Sequence, residues 1–126
     1  MIIKKLDSVI DSDRDIDWGN GRSRRLLLKS DGFPYSITDT IINAGTESRM
    51  QYLNHVEACY CVEGSGEVES GGQVHKLEPG TLYAPENDKH ILRAFTTLRL
   101  ICVFTPPLSG TEHHSLSTDA FSTYES

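Results

Sequence analysis

The chain has no apolar stretch long enough to cross a bilayer. Its most hydrophobic run, Leu98 to Leu108, is broken by Arg99 and by Pro106-Pro107, and no apolar core follows Lys4-Lys5. Neither a secretory leader nor a membrane span is expected. An excess of basic residues is missing as well: 12 Lys and Arg stand against 18 Asp and Glu, for a formal charge of -6. The short cluster Arg22, Arg24, Arg25 does not replace the basic stripe that a phosphate backbone requires, so a nucleic-acid partner is not expected. Cysteine is scarce. The 3 cysteines cannot all pair within one chain, and Cys59 and Cys61 point the same way from one strand, a poor geometry for a disulfide. That usage is read as a reducing, cytoplasmic setting. The remaining composition, 37% hydrophobic and 24% charged over 126 residues, suits one core and would crowd two. A single domain over residues 1–126 is expected, with the polar, Ser/Thr-rich segment 115–126 as a flexible tail.

The most informative stretch is Asn54 to Glu69, NHVEACYCVEGSGEVE. Successive side chains of a strand point to opposite faces, so His55, Glu57, Cys59 and Cys61 share one face and Val56, Ala58, Tyr60 and Val62 the other. One face is thus rich in atoms that bind metals. Gly64-Ser65-Gly66 then permits a tight turn, the chain returns as Glu67-Val68-Glu69, and Gly71-Gly72 turns it again. Further strands are expected at Ser23 to Lys29, Tyr35 to Asn43, Met50 to Leu53, Gln73 to Leu77, Thr81 to Ala84, His90 to Ala94 and Leu98 to Phe104. Met1 to Leu6 reads as an edge strand, and the acidic Asp7 to Asp17 as a short helix or loop. Many short strands at even spacing indicate an all-β barrel or jelly roll.

Leu77 to Pro85 carries a Pro-Gly turn and a short apolar strand, followed by the polar loop Glu86 to Lys89 and then His90. Together with Glu57 seven residues before Gly64, this resembles the cupin superfamily, although Met50, Gln51, Tyr52 and Leu53 occupy the region where its usual pair of histidines would lie. The fragments AGTE at Ala44, NHVEACYCVEGSGEVE, PGTLYA at Pro79, HILRA at His90 and CVFTPPLSG at Cys102 narrow the resemblance to the ectoine synthases, over roughly residues 22 to 114. Thr38 stands where that family commonly has asparagine, and the ending SLSTDAFSTYES departs from its acidic, glycine-containing tail.

The resemblance implies a cupin-type barrel holding Fe(II), or another divalent ion such as Zn(II), through Glu57, Tyr83 and His90. Carboxylate, phenolate and imidazole are donors suited to such ions. It implies Trp18, Arg25, Thr38, Thr40, Cys102 and Phe104 against the substrate, with Arg25 forking onto a carboxylate. Tyr52, His55, Glu112 and His114 are the implied catalytic groups, and a homodimer the implied assembly. The implied reaction converts N-γ-acetyl-L-2,4-diaminobutyrate to ectoine and water, a hydro-lyase step serving osmotic stress. Taken alone, the residues leave other readings open. Glu57 could be a solvated strand carboxylate, His90 a strand cap, Tyr83 core packing, and Glu112 and His114 part of a solvated tail. Cys59 and Cys61 read as small apolar core residues. Another cupin enzyme, such as an iron-dependent oxygenase or an isomerase, and a metal-free ligand-binding barrel are the alternative functions.

Overall fold

The computed structural model describes residues 1–110, 112–114 and 124–125. Among them the strands are β1 (Asp15–Asp17), β2 (Gly21–Leu27), β3 (Ser36–Ile42), β4 (Glu47–Met50), β5 (Val56–Glu63), β6 (Gly66–Ser70), β7 (Gln73–Leu77), β8 (Leu82–Tyr83), β9 (His90–Ala94), β10 (Leu98–Thr105), β11 (His113–His114) and β12 (Tyr124–Glu125). Only single 3-10 turns, at Leu6–Ser8 and Lys29–Asp31, represent helix. A six-stranded sheet runs in the order β1-β2-β3-β10-β5-β8 and a four-stranded sheet in the order β4-β9-β6-β7, all pairings antiparallel. The two sheets enclose one apolar cluster, with Ile42, Leu100 and Phe104 from the first and Met50, Val68 and Leu92 from the second.

Alternation in β5 places Glu57, Cys59 and Cys61 inside and leaves Val56 and Tyr60 exposed. Strand β10 lies beside it in register, Cys102 opposite Cys59 and Phe104 opposite Glu57, and turns Leu100, Cys102 and Phe104 inward. Each fully buried apolar side chain of this kind contributes about 1.5–3 kcal/mol. The β5–β6 connection requires glycine at position 64. Its φ is +96°, and a Cβ there would lie 2.2 Å from the carbonyl oxygen of Thr97.

Two expected elements are displaced. Met1 to Leu6 forms no strand; the first turn closes at Leu6–Ser8, and the acidic segment after it ends in β1. The strand expected at Met50 to Leu53 lies earlier, at Glu47–Met50, because pairing with β9 runs from Glu47 opposite Arg93 to Met50 opposite His90. Beyond Met50 the chain leaves the sheet, and Tyr52 is buried in the core. Of the expected flexible tail, residues 115–123 and 126 lie outside the described residues, while β12 pairs with β11.

Charge ties the outside together. Asp39 is buried between Arg24 at 2.6 Å and Arg99 at 2.7 Å, and Arg93 bonds Glu47, Glu67 and Glu69 across three strands. Arg14 forks onto Asp31 at 2.9 and 3.2 Å, and the Leu28 N–H adds a third bond. That set, led by Arg14, holds the Asp31 carboxyl at about 2 against its ordinary 3.8. A depressed acid stabilises the fold above its unfolded value and loses that contribution as pH falls through the folded one. Asp31→Asn is therefore expected to cost about 1 kcal/mol at neutral pH, allowing for solvent screening, and nothing below pH ~2. Urea unfolding of parent and variant across that range checks it.

Candidate active site

The loop before β9 turns through two left-handed residues, Glu86 and Asn87, with φ of 40° and 69°. The Asn87 amide donates to the carbonyls of Tyr52 and His55, at 2.7 and 3.0 Å, and so fastens this loop to the segment preceding β5. His90 follows as the first residue of β9, buried in the interior. Its Nδ1 lies 2.9 Å from the Asp88 carbonyl oxygen. A carbonyl can only accept, so Nδ1 carries the proton and Nε2 the lone pair. Burial lowers the His90 pKa and keeps the ring neutral. Nε2 points at Glu57 Oε1 across 3.9 Å, too far for a hydrogen bond.

Neither of those two buried atoms has a hydrogen-bond partner among the described residues. Burial also pushes the Glu57 carboxyl up to about 7, offset only in part by a hydrogen bond with the Cys59 thiol. Two electron-pair donors facing each other in a dry interior are costly unless something lies between them. A cation satisfies both, so these donors fit a divalent metal.

Tyr83 closes the third side. It stands opposite Cys59 in the β5–β8 pairing, its ring meets His90 edge-on at 6.3 Å, and burial, with Cys59 and Glu57 nearby, pushes its hydroxyl well above its ordinary range. Cys59 and Cys102 are both reduced, with Sγ atoms 3.3 Å apart. Between these groups lies a cavity of about 30 Å³, room for a water or two. Its wall includes Trp18, Thr40, Tyr52 and Phe104, and also Ile42, Met50, Leu92 and Leu100, which sequence reasoning did not assign to the site. Alternation on their strands was the signal available for them. Tyr52 stands edge-on to Phe104 at 5.3 Å, with its hydroxyl 3.4 Å from Met50 Sδ. An open groove of about 620 Å³, lined by His75, Lys76 and Asp88 among others, reaches Tyr83 and His90.

Five other expected residues do not line the cavity, His90 among them. Thr38 is buried behind it, its hydroxyl 3.0 Å from that of Thr40. His55 is half-buried; its Nδ1–H donates to the Pro106 carbonyl at 2.8 Å, and its ring meets Phe104 edge-on. Arg25 has no exposed surface, and its Nη2 donates to the Glu112 carbonyl at 2.7 Å while Nη1 lies 4.0 Å from the Glu112 carboxylate. Burial alone would raise the Glu112 carboxyl, yet the N–H groups of Ser109 and Gly110, each at 2.8 Å, hold it below its ordinary value. Glu112 is thus a fixed anion and a poor proton donor. The His114 side chain lies outside the described residues.

A double-sheet antiparallel barrel with a carboxylate and a phenol lining a small interior cavity, and a buried histidine facing that carboxylate, is a cupin-type barrel. Solved structures share the architecture at low identity: KdgF from a Halomonas species superposes with a TM-score of 0.63 at 22% identity, covering 73% of this chain and 86% of that one. A cupin 2 conserved barrel domain protein from Salinispora arenicola gives 0.65 at 19%, covering 83% and 88%. The likeness to one group is far stronger. The ectoine synthase family model matches residues 1–123. L-ectoine synthase of Halalkalibacterium halodurans is 50% identical over 117 residues, covering 90% of this chain and 91% of that protein. The same enzyme of Desulfatibacillum aliphaticivorans is 48% identical over 119 residues, covering 90% and 92%. The crystal structure of ectoine synthase from P. lautus superposes with a TM-score of 0.85 at 50% identity, over 87% of this chain and 81% of that one. The chain belongs to the ectoine synthase family.

Proposed function

We propose that this protein is an ectoine synthase: the neutral 2-amino group of N-γ-acetyl-L-2,4-diaminobutyrate attacks the acetyl amide carbonyl, and the two protons of that amine leave with the carbonyl oxygen as water. The observation that carries the reading is the facing, buried pair Glu57 Oε1 and His90 Nε2 in a barrel of this family. Glu57, Tyr83 and His90 would hold Fe(II), and Zn(II) accepts the same donors. When bound, such an ion supplies Lewis acidity to an amide that is otherwise a poor electrophile.

The remaining work falls to the chain. Trp18, Tyr52 and Phe104 form an apolar wall that excludes water and folds the substrate so that amine meets carbonyl. Thr40, steadied by Thr38, offers a hydroxyl within that wall. His55, whose Nδ1 proton is committed to Pro106, keeps its lone pair on Nε2, and with His114 it is the candidate for moving protons between amine and oxygen. Glu112 acts through Arg25, as the charge that fixes the guanidinium.

Ring closure consumes no oxidant. Its rate under argon is expected to be no lower than that in air; a requirement for O2 would overturn this reading in favour of an oxygenase. The reading extends to a homodimer in the cytoplasm. In support, the outer face of the six-stranded sheet leaves Val56, Tyr60, Leu82 and Val103 exposed, an apolar surface that a second copy would cover. Light scattering in solution should give twice the mass of the chain; the mass of one chain would contradict it.

A further inference from the structure

The interior holds more donors than Glu57, Tyr83 and His90 account for. A Glu57 carboxylate oxygen, Cys59 Sγ and Cys102 Sγ all lie within 4.8 Å of one another. All three residues line the same small cavity, and Tyr83 stands opposite Cys59 in the β5–β8 pairing. Strand pairing builds this cluster: Cys59 faces inward between Glu57 and Cys61 on β5, and Cys102 is its direct partner on β10. Cys61, by contrast, turns its thiol toward its own strand, 3.5 Å from the Glu63 carbonyl.

We propose that Glu57, Cys59 and Cys102 form a second, sulfur-bearing donor set, which takes a thiophilic divalent ion such as Zn(II) or Cd(II) and competes with Fe(II) for Glu57. Two thiolates and a carboxylate are a soft set that favours such ions, whereas carboxylate, phenolate and imidazole favour harder ones. The geometry is close to what binding needs. With metal–sulfur bonds of about 2.3 Å, a tetrahedral ion spreads its two sulfurs to roughly 3.8 Å, against 3.3 Å between these thiols. A small rotation of each cysteine side chain supplies the difference. The cavity already has the volume of a water or two, so an ion enters without displacing backbone. Because both sets draw on Glu57 and the cavity has room for only a water or two, an ion in one set excludes an ion from the other. Zinc then acts as an inhibitor of the iron-loaded protein, by taking a ligand it needs.

This inference does not rest on the ring-closure reading, and its readout is spectroscopic. Protein stripped with a chelator is titrated with Cd(II) while the sulfur-to-cadmium charge-transfer band in the ultraviolet is followed; the zinc-loaded parent is measured by X-ray absorption. A saturable band is expected in the parent and in Cys61→Ser, at most half that intensity in Cys59→Ser and in Cys102→Ser, and sulfur scatterers at about 2.3 Å from zinc. A zinc spectrum fitted by oxygen and nitrogen alone overturns the proposal, and because it is measured on the parent it does not depend on any variant folding. A band at full intensity in both Cys59→Ser and Cys102→Ser overturns it equally. Either result leaves the iron-dependent reaction untouched, so the two readings fail separately.

Discussion

Glu57→Ala is expected to lose Fe(II) binding and ring closure together while the barrel stays folded. The carboxylate is buried, its Oε1 has no hydrogen-bond partner among the described residues, and burial raises its pKa to about 7. Ionised and without an ion, it is a liability, so its removal offsets much of the cost of the small void left behind. Stability without metal should stay within about 1 kcal/mol of the parent. Activity should fall on the order of a thousandfold or more, since an electrophilic ion contributes several kcal/mol to an amide reaction. Iron content after gel filtration, urea unfolding without metal and turnover are the three readouts. Iron bound as tightly as in the parent would remove Glu57 from the ligand set.

Arg25→Ala should be damaging in a different way, through the fold. Its guanidinium is wholly buried and joins β2 to a segment 87 residues away, through the carbonyl and carboxylate of Glu112. Removing one member of a buried pair costs about 3–5 kcal/mol because the other charge stays behind. Glu112→Gln should cost less, since its one amide oxygen keeps one of the two bonds from Ser109 and Gly110 and its backbone carbonyl still accepts from Arg25. Thermal unfolding of both variants tests the order. If Arg25→Ala instead keeps the parent's stability and raises KM alone, the guanidinium meets the substrate carboxylate, as the family resemblance implies.

The contrast between these two residues shows what was readable in advance. Glu57 was legible because strand alternation and a glycine turn are local: its inward direction follows from its distance to Gly64, and His90 follows a loop whose left-handed residues sit next to it in sequence. The contact of Arg25 with Glu112 was not, because that partner arrives from the far end of the chain. The pairing of Cys59 with Cys102 spans 43 residues, and a lone cysteine in a strand looks like apolar filling until the register of β10 is known. His55 illustrates a boundary effect. Alternation puts it on the face of Glu57, but β5 begins at Val56, and the freed backbone lets the ring turn to Pro106. The N-terminal segment misled for a related reason: its residues favour a strand, but no sheet edge takes them up.

The most direct test is proton NMR of N-γ-acetyl-L-2,4-diaminobutyrate incubated anaerobically with the protein, once loaded with Fe(II) and once stripped by a chelator. The ring protons of ectoine should grow only in the loaded sample and stop when the chelator is added. Ectoine formed at the same rate in both samples, or no ectoine despite bound iron, would contradict a metal-dependent ring closure at Glu57, Tyr83 and His90.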